Sequence, residues 1–267
     1  NRNINIIYCD LIITTCCTYK CKECIQLVPY VQHPQIINIS EIKKNVDSAF
    51  SHVDRYFEYH IVGGEPLLHP DLSEIVNYIG RNYRKQIDTI VLVTNGTILP
   101  KQDVLNALSN WHVRIEISDY QKSAAAPKGQ KIERLISLFE QHNISYKIRP
   151  MDLWMSYKGN TEEKPSESQL LHFISDCPCV QKTLAFYQNR AYICSRACTA
   201  EMAGLVDFDP ANSLPLIGEK EDLRRKLLTF TIGITDSGSI PYCQFCYSRT
   251  PIFERIVPAA EQMNIRE

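Results

Sequence analysis

The stretch CCTYKCKEC, residues 16–24, places four cysteines within nine positions, directly after the apolar run IIYCDLII. Thiolates at Cys17, Cys21 and Cys24 (CxxxCxxC) are soft ligands, and three on one short loop point to zinc or an iron–sulfur cluster. A structural zinc site wants four closed tetrahedral ligands, and this loop offers three well-spaced ones. Cys16 could be the fourth, yet neighbouring residues of an extended segment point to opposite faces. Three cysteines on a four-iron cluster leave one iron open to bind something else. A disulfide framework is the remaining option, but it belongs to short secreted chains. This sequence has 267 residues and no signal-peptide pattern.

A second cysteine group comes much later. The sequence holds 11 cysteines, with none between Cys24 and Cys177. Cys179 and Cys194 flank AFYQNRAYI, which reads as a β-hairpin with Asn189 at its turn. Cys243-x-x-Cys246 then closes the set. Either Cys177 or Cys179 can supply the first ligand, since both spacings to Cys194 serve, and a structural zinc on the same residues is the alternative. Cys9 reads as a small buried hydrophobe. Cys198 is either a stray thiol or a hydrogen-atom donor facing a substrate.

The elements that must position these residues follow from periodicity. NINIIYCDLII, YFEYHIV, DTIVLVT, HVRIEIS and ISYKIRP read as strands. Between them, ISEIKKNVDSAFSHV (with Ser40 as N-cap), HPDLSEIVNYIGRNY, LPKQDVLNALSN and GQKIERLISLFEQHN read as helices. Such β-α repeats imply a parallel sheet with right-handed crossovers. If the sheet curls, it forms a partial (β/α) barrel with its active site at the C-terminal strand ends. Every suspicious motif sits at such an end: the cysteine loop, then GGEP (63–66), TNGT (94–97), Ser118 with Asp119 and Tyr120, and Arg149. The pattern loosens after Pro150, so a boundary is expected near 150–165, dividing a core of 1–155 from a tail of 156–267.

Composition narrows the class. Hydrophobic residues make up 44%, charged residues 22%, and the net charge is −1. That suits a soluble α/β protein and gives no sign of a nucleic-acid or acidic-lipid partner. No apolar run reaches the roughly 18 residues of a membrane span.

The three-cysteine loop after strand one, with GGEP after strand two, resembles the radical S-adenosylmethionine (SAM) superfamily over roughly residues 5–150. The resemblance implies that Cys17, Cys21 and Cys24 ligate a [4Fe-4S] cluster whose fourth iron is chelated by SAM. It implies that Gly63 and Gly64 let backbone approach the cofactor, and that Glu65 receives the SAM ammonium. Thr94 and Asn95 would line the SAM site, although TNG is also a common turn. Ser118 would lie near the ribose or carboxylate. Glu23 departs from the pattern, which usually has an aromatic residue before the last cysteine.

The hairpin between cysteines and the terminal CxxC resemble the auxiliary-cluster twitch domain, the short form of the SPASM domain. There, four cysteines hold a second [4Fe-4S] cluster. Asn189 stands where glycine is usual, but Asn tolerates positive φ. The implied chemistry is reductive SAM cleavage to a 5′-deoxyadenosyl radical, then hydrogen abstraction from substrate, with oxidation or epimerisation assisted by the second cluster. The layout resembles the small-molecule branch typified by 2-deoxy-scyllo-inosamine dehydrogenase, so a sugar or aminocyclitol substrate is expected. A ribosomal-peptide maturase is the alternative. Its usual N-terminal peptide-binding domain finds no room before Cys17. A zinc-bound, non-catalytic module is a further one. Arg149 suits a hydroxyl- or carboxylate-rich substrate, or an inter-domain salt bridge. A flavodoxin- or ferredoxin-like electron donor and a reducing cytoplasm complete the expectations.

Overall fold

The structure, a computed structural model, describes residues 3–156, 165–235, 238–246 and 256–263. Part of the expected boundary region, 157–164, lies outside the described residues. The first five strands are β1 (Asn5–Ile12), β2 (Arg55–Val62), β3 (Ile87–Thr94), β4 (Arg114–Asp119) and β5 (Tyr146–Pro150). The helices α1 (Ile39–His52), α2 (Leu72–Tyr83), α3 (Gln102–Asn110) and α4 (Ile132–Gln141) connect them. All five strands pair in parallel. Asn38 caps α1 rather than the expected Ser40, because its side chain accepts the Ser40 N–H at 2.8 Å.

Downstream come β6 (Leu153–Met155), α5 (Glu167–Ser175), β7 (Thr183–Tyr187), β8 (Arg190–Tyr192), α6 (Ser195–Met202), β9 (Ser213–Pro215) and α7 (Lys220–Thr231). The short strands β10 (Ile234–Thr235), β11 (Gly238–Ser239) and β12 (Ile256–Pro258) follow. The hairpin β7–β8 turns through Gln188 and Asn189, with φ of 47° and 58°. Both lie in the left-handed region that a two-residue hairpin turn requires.

The main sheet has eight strands in the order β5-β4-β3-β2-β1-β7-β8-β9. It is open, with six parallel strands and an antiparallel end. β7 adds to the free edge of β1, Tyr8 facing Thr183 and Asp10 facing Ala185.

One face of the sheet is the hydrophobic core. Cys9, Leu11, Tyr59, Ile61, Ile90, Leu92, Ile115 and Ile117 are all fully buried there. They align in register across β1–β4, and Tyr59 meets Phe50 of α1 at a ring separation of 5.0 Å. The other face carries charge.

Candidate functional site

The cysteine loop leaves β1 and is tied down on both sides. The Thr15 N–H donates to the Gln35 carbonyl at 2.9 Å, and the Gly64 and Glu65 N–H groups donate to the Thr14 and Cys16 carbonyls at 2.8 and 2.9 Å. This contact explains the glycine pair. A Cβ on Gly63 (φ 148°) would stand 2.2 Å from the Thr14 oxygen, and one on Gly64 would stand 2.1 Å from the Cys16 oxygen. The space beside these glycines is filled by the cysteine loop's own backbone.

Cys17, Cys21 and Cys24 gather in one small cluster with Tyr19, Tyr120, Met151 and Trp154. Burial pushes the Cys17 thiol up to about 11 and the Cys21 thiol to about 12, with neighbouring thiolates adding to both. Burial raises Cys24 as well. Cys21 is buried and Cys17 and Cys24 are half-buried, and three soft sulfur donors on one short loop are the ligand type that an iron–sulfur cluster takes. Amides also address the sulfurs: Tyr19 N–H meets Cys17 Sγ at 3.4 Å, and Gln262 Nε2 meets Cys21 Sγ at 3.3 Å. Such hydrogen bonds are a means of tuning ligand sulfurs.

Gln262 belongs to a strap that the sequence did not reveal. Lys20 N–H donates to Gln262 Oε1 at 2.7 Å, Lys22 N–H to the Glu261 carbonyl at 2.8 Å, and Met263 N–H to the Lys20 carbonyl at 2.8 Å. Lys22 and Glu261 also form an ion pair at 2.9 Å. Upstream, β12 pairs with β6, so residues 256–263 lie across the loop. Glu23, the departure from the family pattern, accepts a hydrogen bond from Ser156 Oγ at 2.7 Å.

Glu65 is fully buried. The Thr94 hydroxyl lies 2.9 and 3.0 Å from its two oxygens, and the Asn95 and Leu67 N–H groups donate at 2.8 and 3.1 Å. Burial raises its carboxyl to about 7 against the pull of those bonds. Asn95 reaches the cysteine loop through Thr18 Oγ1 (3.0 Å) and Cys17 Sγ (3.6 Å). Gln130, carrying no motif, donates from its amide to the Asn95 and Ser118 carbonyls, both at 2.6 Å, and accepts the Tyr120 N–H at 2.8 Å. The predicted residues Glu65, Thr94, Asn95 and Ser118 thus lie in one connected network with the loop.

The second cysteine group also converges. Cys177, Cys179, Cys194, Cys243 and Cys246 line one cavity together with Ile25, Arg196 and Tyr242. Cys194 caps α6, its Sγ accepting the Ala197 N–H at 3.4 Å. Cys177 Sγ accepts the Cys179 N–H at 3.4 Å, and the Cys179 thiol bonded to it lowers Cys177 to about 6 while being raised itself. Burial lifts Cys194 to about 12 and Cys243 well above the usual thiol range. Cys198 lies apart, fully buried in α6, with its thiol 4.0 Å from Met202 Sδ. That placement suits packing rather than a donor facing substrate.

Among the described residues, Arg149 pairs at 2.8 Å with Glu116 on the neighbouring strand rather than with the tail. It ends a ladder that crosses the charged sheet face. Asp10 meets His60 at 3.7 Å, His60 meets Glu58 at 2.8 Å, Arg114 joins Glu58 and Glu116 at 2.7 and 3.1 Å, and Glu116 meets Arg149.

Comparison with known proteins gives these features a family. Residues 11–118 match the model of the radical SAM superfamily. The GTP 3′,8-cyclase of Campylobacter jejuni subsp. doylei is 26% identical over 159 residues, 56% of this chain and 47% of that protein. The subtilosin biosynthesis protein AlbA of Bacillus subtilis is 25% identical over 146 residues, 51% of this chain and 31% of that one. The chain thus spans about half or less of these curated relatives. Among solved structures, BtrN in complex with AdoMet and 2-DOIA superposes with a TM-score of 0.56 at 13% identity, covering 96% of this chain and 100% of that one. Its fold is shared along nearly the whole chain, and residues 11–118, which carry the cysteine loop and the GGEP turn, match the radical SAM superfamily.

Proposed function

We propose that this radical SAM enzyme acts on a small polar substrate, a sugar or aminocyclitol, by oxidation or epimerisation, with a second iron–sulfur cluster in its tail. The observation that carries the reading is the gathering of the cysteines into two sets, one beside Glu65 and Asn95 and one lining the tail cavity. Cys17, Cys21 and Cys24 would hold the first cluster. Cys194, Cys243 and Cys246, with either Cys177 or Cys179, would hold the second. Cys177 and Cys179 both line the cavity with the other three, so either supplies the first ligand.

When bound, the first cluster and SAM supply the radical that removes hydrogen from the substrate. The chain's own part is to hold, orient and exclude water. Glu65, Thr94, Asn95 and Ser118 would line the SAM site, and Tyr120, Met151 and Trp154 cover the loop cysteines. The ladder ending in half-exposed Arg149 lends a face of fixed charge, which suits a hydroxyl- or amine-bearing substrate. A flavodoxin- or ferredoxin-like protein would supply the electron.

The likeness to AlbA, a bacteriocin biosynthesis protein, favours a ribosomal peptide as the second reading. The test begins with iron, sulfide and zinc per chain after anaerobic reconstitution. About eight irons and eight sulfides support two four-iron clusters. Four irons with one zinc make the tail structural, and zinc alone ends the radical reading. One of Cys177→Ser and Cys179→Ser should then lose about half the iron while the other keeps it, which identifies the ligand. Release of 5′-deoxyadenosine stimulated by cyclitols or amino sugars, and not by peptides, separates the two substrate classes.

A further inference from the structure

Between the two cysteine sets lies one buried cation. Arg196 is 6% exposed and occupies the first turn of α6, two residues after Cys194. Its guanidinium donates to the Cys24 carbonyl at 3.2 Å and to the Ile25 carbonyl at 3.1 Å. Beside it, Gln26 Nε2 donates to Ser195 Oγ at 3.0 Å. Three hydrogen bonds therefore join the segment 24–26 to the segment 194–196. Each segment carries a cysteine of a different set. A cation in the first turn of a helix faces the positive end of the dipole, and burial adds a desolvation cost. The negative charge of a bound thiolate-ligated cluster would offset both. Arg196 also lines the cavity that gathers the tail cysteines.

We propose that Arg196 is a positioning residue shared by both cysteine sets: it clamps the third cysteine of the loop onto the start of α6 and places one positive charge that raises both clusters' reduction potentials. The physics is that a fixed positive charge stabilises the more negative, reduced state of a cluster, and hydrogen bonds close to ligand sulfurs act in the same direction. The inference rests on the two-cluster reading above.

The experiment is an EPR-monitored redox titration of reconstituted wild-type, Arg196→Gln, Arg196→Met and Arg196→Lys proteins, without SAM or substrate, with iron and sulfide counted on the same samples. The expected result is eight irons in each, with both couples of the Gln and Met variants at least tenfold harder to reduce, about 59 mV for one electron. The Lys variant should stay near wild type. Eight irons with unmoved potentials, or with only one couple moved, would overturn the shared-charge role and leave the two-cluster reading standing. Loss of iron from both Gln and Met variants would also overturn it, leaving Arg196 a mechanical clamp. Four irons in wild type would remove the two-cluster reading itself and this inference with it.

Discussion

The glycine pair of GGEP gives the sharpest test of how the cysteine loop is held. In Gly64→Ala the new methyl would stand 2.1 Å from the Cys16 oxygen, 2.6 Å from its carbon and 2.9 Å from Cys17 Cβ. Backbone atoms of a loop pinned on both sides must retreat by more than 1 Å to restore ordinary contact. The retreat stretches two hydrogen bonds, Gly64 N–H to Thr14 and Glu65 N–H to Cys16. Overpacking costs about 1–3 kcal/mol and each of the two weakened bonds about 0.5–1.5 kcal/mol, so a loss of about 2–6 kcal/mol is expected. That is a large share of the 5–15 kcal/mol typical of a native domain. Urea denaturation of the reduced, iron-free protein measures it, and iron per chain after reconstitution should fall as the loop loses its shape. Gly204→Ala is the control: it has φ 67° with no atom within 4 Å of the added carbon. It should lose only the roughly 1–2 kcal/mol of left-handed strain and bind iron normally. A Gly64→Ala protein with wild-type midpoint and full iron would refute the account of why glycine is required.

Three other outcomes are expected. Burial raises Glu65 to about 7, above its usual 4.5. The folded iron-free protein therefore binds more protons than the unfolded one between those values, and stability falls as pH rises through that window. Glu65→Gln should flatten the trend in pH-dependent denaturation, and an unchanged slope would contradict the assignment. Gln130→Ala strips partners from three backbone groups, the Asn95 and Ser118 carbonyls and the Tyr120 N–H. It should cost about 2–4 kcal/mol, and a loss below about 0.5 would show that water replaces the amide. Gln262→Ala removes one hydrogen bond to Cys21 and the strap's grip on Lys20. The visible absorbance of the reconstituted protein should bleach faster in air than wild type, and equal rates would leave the strap without a protective role.

The sheet was legible because its strands are apolar, β-branched and separated by amphipathic helices. The site motifs were legible because each occupies a strand end. Long-range partners were not. Nothing in TLAFY shows that it adds to β1, since pairing between Tyr8 and Thr183 is set by the whole fold rather than by local pattern. Gln130 and Gln262 are polar residues in irregular segments, and their importance appears only when their partners do. The ladder had a readable signal that went unused. Strands buried on both faces are nearly continuous apolar runs, so Asp10, Glu58, His60, Arg114 and Glu116 at alternate positions already marked a polar face. Cys198 was ambiguous because spacing cannot distinguish a buried thiol from one facing a cavity.

Glu65 shows why a carboxylate, and not an amide, fits this turn. Two of its neighbours can only donate: the Asn95 and Leu67 N–H groups, one on each oxygen. The Thr94 hydroxyl is within reach of both oxygens. A carboxylate accepts all of these at once, whereas Gln would turn an NH₂ toward one N–H and leave two donors facing each other. The bonds reach the end of β3 from the turn after β2, and Gln130 carries the link to the end of β4. Asn95 then hands it to Thr18 in the cysteine loop. The residue that the family resemblance assigns to SAM is therefore also the joint between the strand ends and the cysteines. Its replacement should disturb the loop even before any ligand binds.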